Sequence, residues 1–123
     1  MSDNKKENKK EWKERSEQEK LKEINFKGWQ LFKALKLDIK TLTSKHGWKM
    51  VNYIHSNNRE GFFEYLFRLY MSYQLTPDKT IFHFFEECEK SGKFKKYALA
   101  FMSGFISKRE EDKKFQNKEE NNE

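Results

Sequence analysis

The sequence has little that would tie a fold together covalently or carry it through a membrane. One cysteine, Cys88, excludes a disulfide within the chain and fits a reducing compartment. No apolar run approaches the ~20 residues needed to span a bilayer. The N-terminus lacks the apolar segment of a signal peptide. These absences predict a soluble, cytoplasmic protein that makes no membrane contact. With one proline, Pro77, and no alternation of apolar and polar residues, nothing in the pattern favours strands. The five glycines are scattered and form no phosphate-cradling loop; Gly104 in "MSGF" is isolated and reads as a close helix–helix approach. The three histidines, His46, His55 and His83, share no spacing. His83 and Glu87 lie one helical turn apart beside Cys88, but a metal needs three or four convergent ligands, so neither metal nor cofactor is expected. Glu87 and Glu89 flank Cys88 and disfavour a thiolate, which makes it a buried filler rather than a nucleophile. The acidic run "EECE" (86–89) reads as a solvated face or a contact for a basic neighbour. With no catalytic constellation, the chain is expected not to be an enzyme and to have no small-molecule substrate.

Charge is abundant, and it is unevenly placed. Residues 1–23 hold eight Lys/Arg and seven Asp/Glu, residues 24–107 thirteen and seven, and residues 108–123 five and six. The whole excess of +6 therefore belongs to 24–107, which also carries nearly all the large apolar residues. A folded body with that bias attracts polyanions, nucleic acid among them. The organisation predicted is a charged arm or frayed helix over 1–23, a helical bundle over 24–107 and a disordered charged tail over 108–123. Trp12 is the single aromatic of the arm.

Within 24–107 the periodicity is helical throughout, giving an all-α fold of about five helices. Leu21, Ile24, Gly28, Leu31, Leu35 and Leu42 set the stripe of the first, widened by Trp29, Phe32 and Ile39. "SKHG" (44–47) ends it, with Gly47 as a left-handed C-cap. A second helix over 48–56 places Trp48, Val51 and Ile54 on one face, and "SNN" (56–58) caps a third that starts near Arg59. In "LTPDK", Thr76 is the expected N-cap and Pro77 the first helical residue of a fourth helix, which Gly92 stops. The fifth helix covers 93–107.

Aromatic rings crowd "FFEYLFRLYMSYQ" and the following "IFHFF". Rings that stack on bases must be exposed and flanked by cations. These coincide with the aliphatic positions, so Phe62, Phe63, Phe67, Tyr70, Tyr73, Phe82, Phe84 and Phe85 are expected to be core.

Lysine placement carries the functional reading. Lys33, Lys36 and Lys40 step by three and four as a stripe opposite the apolar one, and Lys45 and Lys49 flank the next turn. Lys93, Lys95 and Lys96 crowd a helix start, where cations oppose the helix dipole unless an anion is present. A solvated face is the competing reading of these groups.

The stretch beginning "WKMVNYIHSNNREGFFEYLFRLYMS" resembles the C-terminal helical domain of the large subunit of type I-B CRISPR Cascade complexes, a module that also occurs as a separate small (belly) subunit. The likeness rests on an apolar helix followed by Asn58-Arg59 and Phe63, then "RLYMS" (68–72), Pro77, and "AFMSGFI" (100–106). It covers residues 46–107 and not the first 23. It implies a non-catalytic, DNA- and RNA-associated subunit of antiviral defence, with copies stacked head to tail along the crRNA filament beside the large subunit. Such a subunit presents basic surface to target DNA without reading sequence, which guide pairing does. Arg59 and Arg68 join the candidate phosphate contacts through this pattern. Arg68 has a second reading as the partner of Glu64 one turn earlier. The competing class is a helical protein-interaction adaptor that touches no nucleic acid. A third class is a double-stranded DNA reader of helix-turn-helix type, but the middle of its candidate recognition helix, "SNNREGFFEYLFRLYMS", is too apolar to face a groove.

Overall fold

The computed structural model describes residues 11–106, so the tail from 108 and the first ten residues of the arm lie outside the described residues. Among the described residues there are five helices and a short 3-10 turn at Trp12–Glu14. Helix α1 is Glu17–Leu35. Ser16 caps it reciprocally: the Glu19 amide donates to Ser16 Oγ at 3.1 Å, and the Ser16 amide donates to Glu19 Oε1 at 2.9 Å. Helix α2 is α-helical at Ile39–Leu42, π-helical over Thr43–Gly47 and α-helical again at Trp48–His55. Helices α3, α4 and α5 are Arg59–Ser72, Lys79–Ser91 and Phe94–Phe105.

The first helix ends earlier than its apolar stripe suggests. Lys36 turns left-handed (φ 58°), and Asp38 starts α2 by accepting from the Thr41 amide at 2.7 Å. An Asp side chain that binds a nearby backbone amide competes with helix continuation, and the chain turns there. Gly47 is accordingly not a left-handed cap: it is buried with φ −59°, inside a continuous helix. The π turn has a packing reason. Leu42 and Gly47, five residues apart, would diverge on a regular α-helix; the wider turn keeps Leu42, Gly47, Met50 and Ile54 all on the core side. The buried line of this segment is thus Met50 and Ile54, and Trp48, expected on the apolar face, is 63% exposed.

Asn58 caps α3 and Gly92 (φ 70°) stops α4, as their residue types imply. The start of α4 lies two residues beyond the expected Thr76. Asp78 is the cap, accepting from the Thr80 amide at 2.9 Å, and its other oxygen meets Lys27 Nζ of α1 at 2.6 Å. Replacing Asp78 by Ala is expected to cost about 1–2 kcal/mol for cap and ion pair together, and Thr76→Ala less than about 0.5 kcal/mol. Paired denaturant melts check the assignment, and the reverse ranking would return the cap to Thr76.

The core is aromatic. Phe62 meets Phe63, Phe84, Phe94 and Phe101 at ring-centroid distances of 5.1–6.3 Å, mostly edge to face. Phe63, Phe84, Phe94, Phe101 and Phe105 are buried with it, while Phe67, Tyr73 and Phe85 pack against the cluster half-buried. Phe82 departs from expectation: it is 50% exposed and stacks on Phe67 at 5.5 Å. Helix α5 packs along α1 more extensively than any other pair, and the crossing is made by glycine. A Cβ on Gly28 would run into the Phe101 carbonyl oxygen, and one on Gly104 into that of Asn25.

Trp12 is buried although its own segment is charged. Its ring stacks on His83 at 5.4 Å, its Nε1–H donates to Glu87 Oε1 at 3.0 Å, and Lys20 lies 5.5 Å from the ring centroid. Residues 12–23 therefore pack on the bundle through α1 and α4.

Candidate nucleic-acid interface

Of the ten basic residues singled out in the sequence, nine are exposed and Arg59, at the start of α3, is half-buried. The structure divides them. Lys33 closes α1 with its ammonium 5.8 Å from the Trp29 ring, Lys36 is the left-handed residue of the turn, and Lys40 lies in the first turn of α2. They do not form a stripe on one helix, because α1 ends at Leu35 and α2 starts at Ile39 after the left-handed Lys36. They line a corner, which α2 continues through Lys45 and Lys49, four residues apart and so one turn apart. The acid of this corner, Asp38, is occupied as the α2 cap, and the Thr41 amide holds its carboxyl below the usual range.

In the other group two lysines share one carboxylate. Lys93 Nζ lies 3.2 Å from Glu17 Oε1 and Lys96 pairs with the second oxygen of the same carboxylate. Hydrogen bonds from Lys96 and Lys93 lower the Glu17 pKa. The anion anticipated at the start of α5 is thus supplied by α1 of the same chain, while Lys95 between them is exposed. Arg68 Nη2 holds Glu64 Oε2 at 2.9 Å, an exposed pair one turn apart. That geometry is the structural reading of Arg68.

Three tyrosines and a histidine fix the π segment against α3. His46 Nδ1 and the Tyr65 hydroxyl are 2.7 Å apart. The same hydroxyl lies 3.4 Å from the Lys45 carbonyl oxygen, so Tyr65 bridges the imidazole and the backbone of the π segment. Tyr73 meets the imidazole edge-on, and Tyr53 packs beside Tyr65. Burial, then Lys45 and Lys49, push the His46 pKa below its ordinary value, so the ring stays neutral. Lys49 extends over the Tyr65 ring, 6.0 Å from its centroid.

Trp48 lies among these groups and was missed by the sequence reading. The signal was available: an aromatic three residues after one lysine and one before another, with Met50 and Ile54 already supplying a buried line at four-residue spacing. What the corner offers chemically is ammonium groups for phosphate oxygens and one exposed indole. Elsewhere, burial pushes the Cys88 thiol up to about 12, which leaves no thiolate at neutral pH. Glu87 of the acidic run binds Trp12 and Lys20. Among the described residues no group of three His, Cys, Asp or Glu is placed to hold a metal, and no helix is long and apolar enough to cross a membrane.

These features define an all-α bundle with one basic corner. No family model, curated protein or solved structure matches the chain.

Proposed function

We propose that this chain is a non-catalytic, sequence-independent nucleic-acid-binding subunit, and that it serves as the small subunit of a type I-B CRISPR Cascade complex in the cytoplasm. The carrying observation is the exposed basic corner formed by Lys33, Lys36, Lys40, Lys45 and Lys49, whose one acid is engaged as a helix cap. Support also comes from the +6 excess on residues 24–107 and from the pattern over 46–107 described above. Contacts of this kind are to phosphates, because the corner presents ammonium groups rather than amides or guanidinium forks at base-reading spacing. In the complex the partners are the crRNA filament, the large subunit, further copies of the chain and target DNA. A protein-adaptor reading is favoured by one specific feature, the exposed Met71 and the exposed Phe82 stacked on Phe67. In a stacked subunit that face would meet the neighbouring copy.

Changing Lys36, Lys40 and Lys45 together to Ala is expected to flatten log affinity against log salt by up to about 3 units for a duplex and about 2 for a single strand. The unfolding midpoint should barely move, since the three side chains are exposed. Gel shifts across a salt series measure the slope. Purification from the host then asks whether crRNA accompanies the wild-type chain. An unchanged slope would remove the corner from the interface, and a wild-type protein that binds neither DNA form at low salt would leave the adaptor reading.

A further inference from the structure

We infer that Trp48, with Lys45 and Lys49, is a base-stacking anchor that makes the basic corner select unpaired strands over duplex; the inference rests on the nucleic-acid-binding reading above and deepens it. The chain has three tryptophans, of which Trp12 is buried and Trp29 half-buried. Trp48 leaves 63% of its surface in water, in a bundle that buries seven phenylalanines on its other helices. An indole with that much free surface offers a flat face on which a flat partner can stack.

The surroundings specify that partner. Tyr65 of α3 binds the Lys45 backbone carbonyl and lies under the Lys49 ammonium, so α3 orients both lysines that flank the indole. The π turn, which keeps Leu42 and Gly47 both on the core side, leaves Trp48 outward. Phe82 provides the contrast. Among the described residues it is the other strongly exposed ring, but Phe67 covers one of its faces and Glu86 lies one turn on along α4. At Trp48 neither face is so covered by a neighbouring ring among the described residues, and Lys45 and Lys49 stand close along the chain to receive phosphates. Every base has a face that can stack on an indole, provided that face is free. In a duplex those faces are already stacked, so Trp48 adds affinity only for unpaired nucleotides, while the lysines bind both forms.

The test uses the full chain with three probes: oligothymidylate, an abasic oligonucleotide of equal length, and a duplex closed at both ends. Trp48→Ala is expected to weaken oligothymidylate binding about ten- to a hundredfold. Its affinity for the abasic strand and the closed duplex should stay within about twofold of wild type, with the salt slope unchanged. Trp48→Phe, which keeps a ring, should retain most of the oligothymidylate affinity. Thermal melts of both variants should match wild type, as the side chain is mostly exposed. Equal weakening for all three probes, or none for oligothymidylate, overturns the anchor. If wild type binds both strand forms with steep salt dependence and Trp48→Ala does the same, the anchor alone fails. If wild type binds no probe at low salt, the nucleic-acid reading fails with it.

Discussion

Gly28→Ala is expected to lower stability by about 3 kcal/mol, which for a domain of this size moves the thermal midpoint by on the order of 10–20 °C. The sign is the informative part. At an ordinary helix-interior position Ala is better than Gly by about 1 kcal/mol. Here the new methyl would collide with the Phe101 carbonyl oxygen and come within 3.0 Å of the Phe105 amide nitrogen. Both are backbone atoms, so relief requires α1 and α5 to separate, opening gaps beside Ile24, Leu31, Ala98 and Met102. Separation would also strain the hydrogen bond that Asn25 Nδ2 donates to the Ala100 carbonyl at 3.0 Å. Gly104→Ala should act alike from the other side, since its methyl would meet the Asn25 backbone. The double variant should fall short of the sum, because helices already pushed apart by one methyl have room for the second. Gly61→Ala is the contrast: its methyl would meet the movable ring of Tyr53 rather than backbone. Circular-dichroism melts of the four proteins decide it, and a neutral or stabilised Gly28→Ala would mean that the crossing lies elsewhere.

Gly28 also marks how far local patterns reach. It stood in the apolar stripe of the first helix, where a glycine without neighbours to explain it is only a weakness. Its partner lies more than seventy residues on, and only the crossing explains both. The helices themselves were legible from apolar spacing, and the caps at Asn58 and Gly92 from residue type. The reciprocal Ser16–Glu19 cap had a readable spacing too, but the charged segment around it suggested an arm. In "LTPDK" two capping residues stand two apart, and the choice of Asp78 is reinforced by Lys27 on another helix. The same limit governs the candidate site. That lysines were plentiful and exposed could be read directly; that Lys93 and Lys96 already hold Glu17, 76 and 79 residues away, could not. Trp12 is buried for the same kind of reason, through His83 and Glu87 of α4. The π turn changes the phase of α2 by one residue, and with it the side on which Trp48 emerges.

Phe101→Ala should cost about 3–5 kcal/mol, a large share of the about 5–15 kcal/mol that separates a small domain from its unfolded state. Phe101 is fully buried where α5 meets α1, α3 and α4. Its ring stacks on Phe84 at 5.5 Å and on Phe105 at 5.9 Å, and meets Phe62 edge-on at 6.3 Å. Truncation would leave a cavity walled by rings on three different helices that cannot all collapse into it. The loss should appear in urea as a lower midpoint with an unchanged slope, because the surface exposed on unfolding is nearly the same. Phe82→Ala, at the half-exposed ring, should lose much less. These two variants separate the roles that crowded aromatics can have. A ring that holds the fold loses nucleic-acid binding only together with the folded state, so Phe101→Ala should bind normally below its lowered midpoint and not at all above it. A Phe101→Ala protein that keeps its midpoint and loses binding to single strands would place the stacking surface inside what is here the core.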